Sequence, residues 1–129
     1  MTPQATKLAP SRADAEAAVA RLRELSSEIR GAAILHEDGA VLAATGAPER
    51  WAEPALALLA AADRAAREPA LQAHVGTEDG EVFAVRERGL AAIVVAERFS
   101  LASLMTWDLR SVLRELARGE LPRDHEEAA

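Results

Sequence analysis

Leu90-Ala91-Ala92-Ile93-Val94-Val95-Ala96 is an unbroken apolar run rich in β-branched residues, and its reading decides the fold. A strand with one covered face alternates apolar and polar side chains. This run does not alternate, so as a strand it has to be covered above and below. It is also far shorter than the roughly 20 residues that span a bilayer. It belongs at the centre of a sheet that carries helices on its faces.

Upstream, Glu87-Arg88-Gly89 supplies a turn and Val82-Phe83-Ala84-Val85 a partner strand. Thr77-Glu78-Asp79-Gly80 turns again, and Leu71-Gln72-Ala73-His74-Val75 alternates as a strand covered on one side. Nearer the N-terminus, Ala32-Ala33-Ile34-Leu35-His36 and Val41-Leu42-Ala43-Ala44 flank the turn residues Glu37-Asp38-Gly39 and form a hairpin. Three helical patterns complete the chain. The first runs from about residue 12 to 30, with Ala15, Ala18, Val19, Leu22, Leu25 and Ile29 on one stripe, Ser11 or Asp14 as cap and Gly31 past its end. The second starts near residues 51–53, after a short turn at 48–50, because Pro54 is tolerated only in a first turn, and it ends near Arg67. The third spans about 100–118, with Leu101, Met105, Leu109, Val112 and Leu116 as its stripe, Leu113 on the border and Gly119 as its stop.

The order is helix, two strands, helix, three strands, helix: an α+β domain with one antiparallel sheet. The run Ile34-Leu35-His36-Glu37-Asp38-Gly39 through Val41-Leu42-Ala43-Ala44-Thr45-Gly46 resembles the first hairpin of the roadblock family, named after a dynein light chain. The Ala/Leu-rich second helix, the closing Leu90–Ala96 strand and the last helix are also similar to that family, over roughly residues 12–118. The resemblance implies a profilin-like or longin-like fold, α-β-β-α-β-β-β-α, with sheet order 2-1-5-4-3 and helices on both faces. It further implies a homodimer built by third-strand pairing and second-helix packing, and a role in scaffolding or regulating small GTPases, in bacteria often Ras-like ones. A heterodimer with a second roadblock-like chain fits the same pattern. Pro54 departs from the family's usually uninterrupted second helix.

The 129 residues suit one domain, read here as an N-terminal arm (1–11), the roadblock-like domain (12–118) and an acidic tail (119–129) with Asp124, Glu126 and Glu127. Half the residues are nominally hydrophobic, but 31 of the 129 are Ala, so the core is modest. The formal net charge of −6 argues against a general nucleic-acid binder. With no Cys, disulfides, thiolate metal sites and thiol catalysis are excluded. The single Lys, Lys7, lies in the arm, so no phosphate-binding Gly-rich loop with its lysine is possible, and no Gly-x-Ser-x-Gly elbow occurs. His36, His74 and His125 lack metal-ligand spacing, and Asp38 is explained by turn chemistry. No catalytic, cofactor-binding or metal-binding residue is expected, nor a secretory leader or membrane span; the protein reads as a cytoplasmic non-enzyme.

The sequence points instead to surfaces. Ala55-Leu56-Ala57-Leu58-Leu59-Ala60-Ala61-Ala62 has no polar side. Leu56 and Leu59 can face the sheet, but Leu58 then points roughly 160° away from Leu56. A helix apolar all round is normally covered all round, so a partner subunit is expected over Leu58, Ala61, Ala62 and Ala65; simple Ala enrichment is the competing account. The third strand, if it is the edge the resemblance implies, carries no Lys and no internal Pro to discourage pairing. Gln72, His74 and Val75 are therefore expected at the same interface, with His74 either near a two-fold axis, where it would respond to pH, or simply half exposed. Trp51, Arg64 and Trp107 are candidates for partner binding: Trp107 lies opposite the last helix's apolar stripe and either anchors a partner or folds over the helix edge or against the first helix, Trp51 is either a lip over the core or a contact residue, and Arg64, like Arg67, Arg86 and Arg88, is a surface cation or an arginine finger. A second reading is a profilin-like sensory or small-ligand-binding domain, which requires a cavity.

Overall fold

The computed structural model describes residues 10–120. Most of the expected arm and acidic tail, with Asp124, His125, Glu126 and Glu127, therefore lies outside the described residues. The elements are α1 (Arg12–Leu25), β1 (Ile29–His36), β2 (Val41–Ala44), α2 (Glu49–Ala66), β3 (Gln72–Gly76), β4 (Glu81–Glu87), β5 (Leu90–Ala96) and α3 (Ala102–Arg118). The strands form one antiparallel sheet in the order β2-β1-β5-β4-β3, as the resemblance implied. The doubly apolar run is the central strand: β5 pairs with β1 from Ile29↔Ala96 to His36↔Leu90 and with β4 from Glu81↔Ala96 to Glu87↔Leu90. Every β5 residue except Val95 is buried.

Two helices cover one face of the sheet. Ala15, Ala18, Val19 and Leu22 of α1 and Met105, Leu109, Val112, Leu113 and Leu116 of α3 pack with Ile34, Phe83 and Val94 into the larger core. Leu113, expected at the stripe's border, is fully buried. Leu101, expected on that stripe, is instead the residue that caps α3 in an extended conformation, 64% exposed. The helix starts one residue later than its apolar spacing suggests.

The first helix is shorter than its periodicity. Ser11 accepts a hydrogen bond from the Asp14 N–H at 3.0 Å and starts α1, so Ser11 and not Asp14 is the cap. At the other end Ser26 turns extended, and its hydroxyl accepts from the Glu28 N–H at 3.2 Å. A serine that offers the backbone a local partner competes with the helix. Ile29 consequently leaves the helix stripe and opens β1. Gly31 is then a strand residue, not a helix stop: a Cβ there would lie 3.1 Å from Thr45 Oγ1 and 3.2 Å from the Trp51 ring.

Among the described residues, the other face is covered by α2 alone. Only Ala55 and Leu59 of this helix are buried, against Ala33, Leu35, Ala84, Ala91 and Ile93. The helix begins at Glu49, earlier than Pro54 suggested, because its first bonds are short-range: the Arg50 N–H reaches the Ala47 carbonyl at 3.1 Å and the Trp51 N–H reaches Pro48 at 3.0 Å. Pro54 is accommodated inside the helix on an exposed side. No helix among the described residues is long and apolar enough to cross a membrane.

The contrast between the two sides of α3 is testable. Leu109→Ala, at a fully buried position, is expected to destabilise the domain by about 2–5 kcal/mol. Trp107→Ala, at an exposed one, should change stability by no more than about 0.5 kcal/mol. Urea unfolding followed by circular dichroism measures both.

Candidate functional site

The face of α2 turned to the sheet is the stripe Trp51, Ala55, Leu58, Leu59, Ala62, at the spacing of one helix side. Trp51 sets that roll. Its Nε1–H donates to the Thr45 carbonyl at 3.0 Å, and its ring lies over Gly31. Leu58 therefore leans on the sheet, half buried, and Leu56, expected to face it, is exposed and covers the turn at Gly39. The outward assignment of Leu58 is thus corrected: counting the stripe from Trp51 reverses the two leucines. Ala61 and Ala65 are exposed as expected, beside Ala57 and Arg64, and Ala62 is half buried.

Between this helix and the sheet lies an apolar cleft of about 240 Å³, walled by Trp51, Pro54 and Leu58 on one side and Val75, Val82 and Val95 on the other. Trp51 is thus a lip of this cleft. Val75, 40% exposed, brings β3 into it.

Among the described residues, strand β3 pairs only with β4. The bonds that flank it, Arg86 N–H to the Leu71 carbonyl and Thr77 N–H to the Gly80 carbonyl, fix which residues point inward. Antiparallel pairs alternate, so Ala73 and Val75 exchange bonds with β4, and the main-chain groups of Gln72, His74 and Gly76 point away from the sheet. This is an open edge, with no Lys and no Pro along it.

The Gln72 and His74 side chains are not simply solvated. Both lie on the α3 side of the sheet. Gln72 Oε1 accepts from Arg110 Nη2 at 2.8 Å. The His74 ring stacks on Phe83, its cross-strand partner, with centroids 4.3 Å apart, and its Nε2 lies 2.5 Å from Glu81 Oε1. Glu81 also accepts from the Phe99 N–H. The His74 bond, opposed by partial burial, holds the Glu81 carboxyl below its ordinary range.

A second polar cluster sets the angle between α2 and the edge. Asp63 and Arg86 form a two-pronged pair, at 2.6 and 3.1 Å. Arg86 also donates to the Ala70 carbonyl at 2.9 Å, and the Ala70 N–H donates to Asp63 at 2.8 Å. Bonding to Arg86 holds the Asp63 carboxyl below its ordinary value. The end of α2, the link to β3 and the face of β4 are tied at one point, and Arg86 is committed there, not free as a finger. The sequence reading missed this cluster; its one signal is Asp63, a lone acid in the apolar half of α2.

The candidate residues thus fall into three groups. Trp51, Leu58 and Val75 meet in the cleft; Ala61, Arg64 and Ala65 share the exposed side of α2, with half-buried Ala62 bordering it; Gln72, His74 and Trp107 line a groove on the opposite sheet face. Among the described residues no cluster of three or more His, Asp or Glu is arranged to hold a metal ion.

No protein-family model matches this sequence, and no curated protein matches it. Solved structures do resemble it in fold. A roadblock/LC7 domain from Streptomyces avermitilis superposes with a TM-score of 0.69 at 16% identity, over 83% of this chain and 98% of that one. Myxococcus xanthus MglB gives 0.70 at 11% identity, over 88% and 93%. An MglB with a tetrameric arrangement gives 0.66 at 20% identity, over 91% and 93%. The chain has the roadblock fold, within the profilin-like class.

The Asp63–Arg86 pair carries a pH signature. Asp63 titrates lower in the folded chain than its ordinary 3.8, so the stabilisation it adds is complete above that value and is lost as pH falls through the lowered folded value. Asp63→Asn is expected to unfold at lower temperature than the wild type at pH 7, with the gap closing as pH drops below 4. Thermal unfolding across pH 2–7 measures it.

Proposed function

We propose that the chain is a non-enzymatic, dimeric interaction module that binds a small Ras-like GTPase on a surface spanning two copies. The observation that carries this reading is the adjacency of a small-residue helix face and an open strand edge. Ala57, Ala61 and Ala65 let another helix approach closely, and the outward groups of Gln72, His74 and Gly76 need hydrogen-bond partners that a second β3 supplies. Antiparallel pairing of two copies about His74 joins their sheets edge to edge and sets the two α2 helices side by side. Leu58 and Val75 line the cleft at this junction, where Ala62 borders the helix contact.

The same assembly presents a broad platform made from two chains, with Arg64 on its helix side. The resemblance to roadblock proteins supports a GTPase as the molecule seated there, and the MglB with a tetrameric arrangement supports self-association in this fold. A GTPase effect would be positional: holding the switch segments in one of their conformations instead of supplying a reacting group. A second roadblock-like chain could take the place of one copy. The apolar cleft favours one other reading, a site for a small apolar ligand, although no polar side chain lines it to fix a ligand's orientation.

Light scattering of the wild type at high micromolar concentration is expected to give a dimer. Ala61→Arg and Gln72→Pro, the latter removing an outward N–H without touching the ladder to β4, should each shift it at least tenfold toward monomer. Titration with a Ras-like GTPase of the source organism, loaded with GDP or a GTP analogue, should then show binding that weakens in both variants. A monomeric wild type, or a GTPase bound equally by monomerised variants, contradicts the proposal. A metabolite-induced thermal shift without GTPase binding favours the ligand reading.

A further inference from the structure

The outer face of α3 combines exposed apolar and basic side chains on the opposite side of the sheet from α2. Leu104, Trp107, Ser111 and Arg114 follow one another at the three- and four-residue spacing of a single helix stripe, opposite the buried Met105, Leu109, Val112 and Leu116. Its N-terminal part is apolar: Leu104 is 53% and Trp107 64% exposed. Its C-terminal part is basic. Arg88, Arg110 and Arg114 all converge on one carboxylate, Glu87, at 3.9, 3.5 and 2.9 Å.

Three guanidinium groups around one carboxylate leave an excess of positive charge, in a chain whose formal net charge is −6. One other acid on this sheet face, Glu81, is bonded to His74 at the opposite end of β4 from Glu87. Asp63 and Glu37 act on Arg86, whose side chain points to the other sheet face from Glu87. Asp108 is raised by burial on the flank of α3 that faces Arg21 of α1, and Glu115, two turns on, shares that flank. On the opposite flank a groove of about 340 Å³ runs between α3 and β3, lined by Ser103, Thr106, Trp107 and Arg110 against Gln72 and His74.

We propose that this groove and stripe dock an acidic amphipathic helix of a partner protein. Its apolar side chains lie over Leu104 and Trp107, and its carboxylates meet Arg110 and Arg114. From Leu104 to Arg114 the stripe rises about 15 Å, the length of roughly three helical turns, so a segment of ten to fourteen residues covers it. Tryptophan and arginine are the residue types that concentrate binding energy at such contacts, and here they are neighbours. An anionic lipid surface offers the same negative charge, but over a wide plane it also meets the chain's net negative charge. A single acidic helix meets only the local excess of arginine.

The probe is a fluorescently labelled fourteen-residue synthetic helix with Leu on one face and Glu on the other, followed by anisotropy with the full chain. Trp107→Ala and the Arg110→Ala/Arg114→Ala pair should each weaken binding about tenfold or more, as should replacing every Glu of the peptide by Lys. Raising the salt from 50 to 300 mM should weaken it several-fold. Ala61→Arg should leave it unchanged, which separates this site from the dimer surface. Equal binding of the Lys peptide, unchanged binding by the Trp107 variant while it remains folded, or no peptide binding alongside retention on phosphatidylserine vesicles each overturns the proposal.

Discussion

Strand β5 is apolar on both sides, so both faces of the sheet must be kept from water, and the two faces meet that demand differently. Two helices share the first face and pack it with large side chains such as Phe83, Leu22, Leu109 and Leu113. One helix covers the second, over a floor in which Ala33, Ala84 and Ala91 keep the surface low. Small floor residues let α2 sit close, but a single helix roughly 10 Å wide is narrower than five strands spaced about 4.8 Å apart. The cleft beside Val75, Val82 and Val95 is the part of the sheet that α2 leaves uncovered.

That shortfall falls at the β3 side, and polar contacts hold it there. Trp51 anchors the start of α2 to Thr45, and Asp63 with Arg86 anchors its end to β4 and to the link that leads into β3. The helix is therefore pinned at both ends with its alanine side outward. His74 and Glu81 brace β3 from the opposite face and connect it to the segment that leads into α3. The outward amides and carbonyls of Gln72, His74 and Gly76 lie along this edge. The exposed alanines, the apolar cleft and the open edge thus form one continuous surface.

Much of this was legible in the sequence. The Leu90–Ala96 run placed the central strand, and the turns at Asp38-Gly39, Asp79-Gly80 and Arg88-Gly89 placed the hairpins. The alanine side of α2 and the unguarded third strand were also readable. What failed were details set by a single side chain. Ser26 ended the first helix early and moved Ile29 into a strand; Trp51 rolled α2 and exchanged the environments of Leu56 and Leu58. The side chains of Gln72 and His74 found partners, Arg110 and Glu81, that are distant in sequence or on the next strand, where periodicity carries no information. The Asp63–Arg86 pair was hidden for the same reason.

The proposed dimer requires a second copy of the chain to complete the edge of β3. Amide hydrogen exchange reads this on the unmodified protein. In that dimer the Gln72, His74 and Gly76 amides are expected to be protected at high micromolar concentration and to lose protection on dilution, while those of β5 stay slow throughout. Rapid exchange at all three positions, unchanged over a hundredfold range of concentration, would contradict it.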